Sequence, residues 1–437
     1  MKKRFRSVVF GTAICLGSAL AVPPAFAEDT IYAPNLAYRT GPFAATGIPL
    51  MNGQRDYIMM LNARDGGVNG VKIEYDECET GYSTEKGVEC YEKTKSSAVV
   101  TQPWSTGITL QVLPKTNVDQ IPILAPGYGF SPMSNGKVFQ WAFNPPASYW
   151  DGASMMLNYV SDGDLSTLGG KKIALLHLDH PFGKEPIPLF EAMAEEHGFE
   201  FLPIPVGLKE MQNQSAQWLQ IRRENPDYVL MWGWGAMNAG ALSEAVKTRY
   251  PMDQFIGIWW AGHDDDLKTV GERGKGYKSI SWSVPVNDAP VMADIKKHVV
   301  DAGDSLIDNP EDMNTVFYQR GILISMFLVE GIKAAQEHFG TKVVTPEQLR
   351  WGLANLNIDD AKIAELGMTG MLAPFSTSCD NHTGHADAWI LQWDGTKFAP
   401  ASDRISADRG VIEPLEQAKA MEYADANAPW PINEECS

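Results

Sequence analysis

This sequence predicts an α/β fold built on two mostly parallel sheets, and three observations support that prediction. Short apolar runs alternate with helix-length segments along most of the chain. The chain of 437 residues is long enough for two ordinary domains. A stiff turn, Asn144-Pro145-Pro146, follows the strand-like run Val138 to Phe143 and marks a break.

The elements follow in order. Leu50, Gln54, Tyr57, Ile58 and Leu61 fall on one side of a helix that stops at Gly66-Gly67. Val71, Ile73 and Tyr75 then alternate as a strand does. Further apolar runs lie at 98–101, 121–125, 173–178, 199–206, 228–232, 255–260 and 280–284. Helix-length segments at 184–197, 214–224 and 236–250 separate several of them, which implies parallel sheets covered on both faces. Thr345-Pro346-Glu347-Gln348 is a capping box with proline at the first helical position, so a late helix starts there. Residues 424–437 are polar and contain proline, and they predict an extended tail held by Cys436.

The N-terminus reads as an export signal. Lys2, Lys3, Arg4 and Arg6 precede an apolar stretch from Val8 to Val22, and Ala25-Phe26-Ala27 gives the small-x-small pattern of a cleavage site. The expected signal is residues 1–27, cut before Glu28, which places the mature protein in the periplasm. The apolar stretch is short of the roughly 20 residues a spanning helix needs. Ile14 before Cys15 argues against lipid attachment.

Removing the signal leaves 410 residues and takes the formal charge from -18 to about -22, because four basic residues and no acids are lost. Such a surface repels nucleic acid and anionic lipid at long range. Neither nucleic acid nor stable membrane insertion is expected, and a monomer is. Four cysteines remain, Cys78, Cys90, Cys379 and Cys436. An even count in an exported chain suggests two disulfides. Of the three connectivities, the local one, Cys78 with Cys90 and Cys379 with Cys436, is preferred. A metal site is disfavoured because CxxC spacing is lacking, and no cofactor is expected.

Several segments in order carry a family resemblance. They are Arg39-Thr40-Gly41-Pro42-Phe43, Gly66-Gly67-Val68-Asn69-Gly70, the strand Lys72 to Asp76, Ile121 to Pro126, Val138 to Trp141, Phe182-Gly183, and the closing run Trp389 to Lys397. The mature chain resembles the periplasmic binding proteins of branched-chain amino acid ABC importers. The resemblance implies a type I binding-protein fold of two lobes, residues 28–147 with 285–385 and residues 148–284 with 386–437. It implies a small organic ligand held between them at the carboxyl ends of the strands, and delivery to inner-membrane permease subunits.

The family's ligand contacts carry over unequally. Trp104, Ser105 and Thr106 occupy the loop where the family places a serine on the ligand carboxylate. Gly127, Tyr128 and Gly129 stand at a second clamp that is a threonine in amino-acid binders. Thr46 and Phe182 replace tyrosines, and Trp234 matches an aromatic of the second lobe. The acid that would meet an ammonium is replaced by Trp259, followed by Trp260, with Asp264, Asp265 and Asp266 further on. A buried ammonium with no counter-charge costs several kcal/mol. Ordinary α-amino acids are therefore expected to bind poorly. Trp104, Tyr128, Phe182, Trp232, Trp234, Trp259 and Trp260 all fall at predicted strand ends. Three or four of these rings are expected to face the ligand, preferably a flat or aromatic carboxylate, with a quaternary ammonium held by cation–π contact, or an amino-acid-like solute met by one of Asp264–Asp266, as alternatives.

Other readings are weaker. His177, Asp179 and His180 resemble half of a metallo-hydrolase site, with His263 as a further ligand, but neighbouring strand residues point to opposite faces. Gly233-Trp234-Gly235 resembles a dinucleotide loop whose third glycine is absent, with Asn238 in its place. A sensory ligand-binding module with the same fold is the remaining alternative to transport.

Overall fold

The computed structural model describes residues 29–436, besides Met1. The signal segment and its cleavage before Glu28 lie outside the described residues.

Two parallel systems of strands organise the molecule. In the first, Thr30–Tyr32 pairs with Lys72–Glu74, Asn35–Leu36 with Gln102–Pro103, and Ile123–Leu124 with Ala142–Phe143. Asn35 bridges to Glu77 and Thr101 to Ile123, joining these pairs into one parallel array. The second is a continuous seven-stranded sheet. Its order is Phe398–Pro400, Trp389–Trp393, Lys278–Ser281, Phe255–Gly257, Tyr228–Trp232, Lys172–Leu178 and Glu200–Val206. The central strands are parallel, and the two late strands close one side antiparallel. Glu200–Val206 carries Pro203 and Pro205 and lies at the opposite edge, where an absent N–H costs no ladder bond.

Two long helices pack on each other through small residues. The long helix Val316–Phe339 is capped by Thr315, whose hydroxyl accepts from the Tyr318 N–H. It crosses Ala44–Arg64 where Gly321 meets Gly53. A Cβ on Gly53 would lie 1.9 Å from the Tyr318 carbonyl oxygen, so glycine permits this close crossing. The predicted capping box is present: Thr345 and Gln348 bond each other's backbone N–H at the start of Pro346–Leu353.

Three runs differ from expectation. The run 138–143 is a strand only at Ala142–Phe143, because Val138 and Phe139 turn back to bond the Asn135 carbonyl. The run 255–260 leaves the sheet after Gly257, and Trp259–Ala261 winds into a 3-10 turn. Helix Arg409–Ala426 takes in the first three residues of the predicted tail, 424–426, before the chain extends. Beyond that helix it docks on the first strand system: the Trp430 indole donates to the Val138 carbonyl at 2.7 Å. Disulfides join Cys78 to Cys90 and Cys379 to Cys436. Among the described residues, no helix is long and apolar enough to cross a membrane.

Candidate functional site

The site forms where the carboxyl ends of the two strand systems face each other, six of the parallel strands carrying an aromatic residue within four positions of their ends. Tyr38 follows Asn35–Leu36, Trp104 follows Gln102–Pro103, and Tyr128 follows Ile123–Leu124. From the other side, Trp234 follows Tyr228–Trp232, Trp260 follows Phe255–Gly257, and Trp282 follows Lys278–Ser281. All six are buried.

These rings meet across the boundary. Tyr128 lies 4.3 Å from Trp260 and 5.4 Å from Trp104, and Trp260 lies 5.3 Å from Trp234, measured between ring centroids. The Tyr38 and Tyr128 hydroxyls share a hydrogen bond of 2.8 Å. Burial holds both hydroxyls well above the usual tyrosine range, so they stay neutral. The Trp104 indole N–H donates to Asn35, which fixes its ring against the first strand system.

Gly127 ties the two sides together. Its φ of +67° suits glycine, and its carbonyl accepts from the Trp259 indole at 3.0 Å and the Trp260 indole at 2.9 Å. Gly129 is also left-handed, at φ +97°.

The remaining expected residues serve other contacts. The Thr46 hydroxyl donates to the Phe43 carbonyl of its own helix. Ser105 caps Thr106–Asp119 and accepts from the Ile108 N–H at 3.5 Å, so its oxygen is engaged in helix capping. Thr106 is buried at the start of that helix. Phe182 and Trp259 form a second ring group around Tyr149, at 5.4 and 5.7 Å. Trp232 belongs to the same group and packs on Phe190. Four of the seven highlighted rings, Trp104, Tyr128, Trp234 and Trp260, thus share one cluster.

The nearby acids are committed elsewhere. Asp264 accepts from the Val316 N–H at 3.2 Å, and Asp265 pairs with Lys268 at 2.5 Å. Asp266 accepts from the Asn238 side chain at 2.8 Å, and burial raises its carboxyl to about 7. The carboxyl of Glu185 accepts from the Ser131 N–H at 2.8 Å and is pushed up to about 8 by burial.

Sequence reasoning missed Arg320. This side chain is 0% exposed and lies 5.1 Å from the Trp260 ring and 5.3 Å from the Trp282 ring. Its signal was a lone arginine in the apolar stretch Val316 to Val329. Burial lowers its guanidinium to about 9, which still leaves it charged at neutral pH.

The suggested hydrolase cluster disperses. His177 bonds the Leu178 carbonyl, Asp179 pairs with Lys184, and His180 caps the turn Pro181–Lys184. Among the described residues, no group of three His, Cys, Asp or Glu side chains is arranged to hold a metal. At Gly233, a Cβ would lie 2.3 Å from the Asn238 oxygen, so this glycine serves local packing in a loop filled by Trp234.

Two lobes whose strand ends face each other across a shared aromatic site define a bilobal solute-binding protein. Residues 30–398 match the model of the periplasmic binding protein family. The chain belongs to that family, and its function is solute binding. A Pseudomonas fluorescens group protein, described as an ABC transporter permease, is 34% identical, with 93% of this chain and 99% of that one covered and a TM-score of 0.86. The fold is shared with a branched-chain amino acid ABC transporter protein from Thermus thermophilus with bound valine, at 19% identity, 89% and 99% coverage and a TM-score of 0.74. It is also shared with an R. palustris solute-binding protein in complex with benzoate, at 17% identity, 87% and 98% coverage and a TM-score of 0.65. No curated protein matches the chain.

Proposed function

We propose that this protein captures a flat or aromatic carboxylate between its lobes and delivers it to the permease of an ABC importer. The observation that carries the reading is the ring cluster itself. Trp104 and Tyr128 from one side meet Trp234 and Trp260 from the other, and the neighbouring acids are engaged away from it. Such a wall suits stacking on a flat body and offers an ammonium no counter-charge. The same fold holds benzoate in the R. palustris protein.

The lobes of this reading are residues 28–147 with 285–385 and residues 148–284 with 386–437. The mature chain starts at Glu28, resides in the periplasm and acts as a monomer. Thr46, Ser105, Thr106, Gly129 and Phe182 stand close to the strand ends, and their backbone and side chains come within reach of a solute as the lobes part.

A thermal-shift screen tests the ligand class, since a ligand that binds only the folded state raises the melting temperature. Benzoate and related aromatic acids are expected to give larger shifts than leucine, isoleucine or valine. The largest shift from a branched-chain amino acid would overturn the reading. A tenfold preference corresponds to about 1.4 kcal/mol, which one good stacking contact supplies.

A further inference from the structure

We propose that Arg320 is the anion-recognising side chain of the cleft, with the carboxylate of the captured solute as its partner. The inference rests on the reading that the solute enters between the strand ends, and it adds a charge and a residue to that reading.

Arg320 sits in the second turn of Val316–Phe339 and reaches the boundary between the two strand systems. Its Nε donates to the Ser283 hydroxyl at 2.9 Å, its Nη2 to the Ser281 hydroxyl at 2.8 Å, and its Nη1 to the Trp259 carbonyl. All three acceptors are neutral. They engage one N–H on each nitrogen, and a guanidinium carries five. Among the described residues, no carboxylate forms an ion pair with it.

Two further donors belong to the same aromatic group, Trp282 against the guanidinium itself and Trp234 one ring away, against Trp260 and Phe317. The Trp234 and Trp282 indole N–H groups are buried and have no acceptor in the protein. Trp282 packs on the guanidinium, and its indole nitrogen faces Gly127, 2.8 Å from where a Cβ would stand. Arg320 therefore brings an uncompensated positive charge and spare N–H donors to the same loops that carry the ring cluster. A planar guanidinium fork fits a carboxylate better than any other charged group in this chain's reach. The serine clamp implied by resemblance is a neutral hydroxyl at the start of its helix and supplies no charge.

Isothermal titration with matched acid and amide pairs tests this: benzoate against benzamide, and hexanoate against hexanamide. The wild-type protein is expected to bind at least one acid more tightly than its amide. Arg320→Gln should weaken that acid by about 100-fold and change the amide by less than about 3-fold, since only the charge pair is lost. Arg320→Lys keeps the charge and should recover part of the loss.

An equal loss for acid and amide would mean that Arg320 only clips Trp259 to the Ser281–Ser283 segment, and would overturn the proposal. An unchanged acid would overturn it as well, while leaving the aromatic-carboxylate reading intact. If hexanoate alone binds and depends on Arg320, the inference stands and the flat-body reading falls. Should Arg320→Gln fail to fold, Arg320→Lys and the acid–amide preference of the wild type decide the matter. No preference for either acid in the wild type contradicts the proposal.

Discussion

Gly127 has two structural roles. Its left-handed backbone turns the loop inward, and its carbonyl then receives two indole N–H groups from the opposite side. In Gly127→Ala, the new Cβ would stand 2.8 Å from the Trp282 nitrogen and 3.2 Å from the Trp259 nitrogen. Strain at positive φ and crowding together cost about 1–3 kcal/mol, borne mostly by the closed arrangement. Benzoate affinity measured by titration should fall about tenfold or more, with a melting temperature lower by only a few degrees. Unchanged affinity would show that this contact does not control closure.

Residue-level reading succeeded in part. The aromatic residues at strand ends were legible, because a short apolar run followed by glycine or a turn marks where a parallel strand releases its chain. Which ring points where was not legible. Trp259 and Trp260 are adjacent, yet the 3-10 turn sends one to Tyr149 and the other to Tyr128. Arg320 stayed hidden because a single arginine in an apolar helix gives no sign of what it faces.

Among the elements, strongly periodic segments were the most legible. Lys172–Leu178, Tyr228–Trp232 and the helix capped by Thr345 stand close to where apolar pattern and capping chemistry place them. The first strand system was harder to read. Its named strands are only two or three residues long, so alternation registered at Val71, Ile73 and Tyr75 and not at the shorter ones.

The loop after Lys172–Leu178 also carries a pH-dependent contact. Glu185 reaches Ser131 on the opposite side, and burial, with Glu416 and Asp151 adding to it, raises its carboxyl from 4.5 to about 8. A raised carboxyl pKa means that the folded state holds a proton the unfolded state has lost. The associated stability is full below about pH 4.5 and is lost as pH rises toward about 8. Relative to Glu185→Gln, the wild-type melting temperature should fall between pH 5 and 8, by the equivalent of roughly 3–4 kcal/mol. A difference between the two proteins that does not vary with pH would contradict this.

At the scale of the whole molecule, the alternation of strands and helices and the length of the chain were enough to predict two α/β lobes. The return path of the tail was less legible. The helix Arg409–Ala426 bonds Asn135 through Gln417, and the segment after it is held by Trp430 on Val138 and by the Cys379–Cys436 bridge. These are long-range contacts that no local pattern encodes. They attach the end of the chain to the first strand system.

Capture between the lobes is the central claim, and it predicts a change of shape. A solute touching both sides favours a form in which the two lobes close on it. Small-angle scattering of the protein, free and saturated with the acid giving the largest thermal shift, measures this directly. The radius of gyration is expected to be smaller with the acid bound, and identical curves at saturation would rule out capture between the lobes.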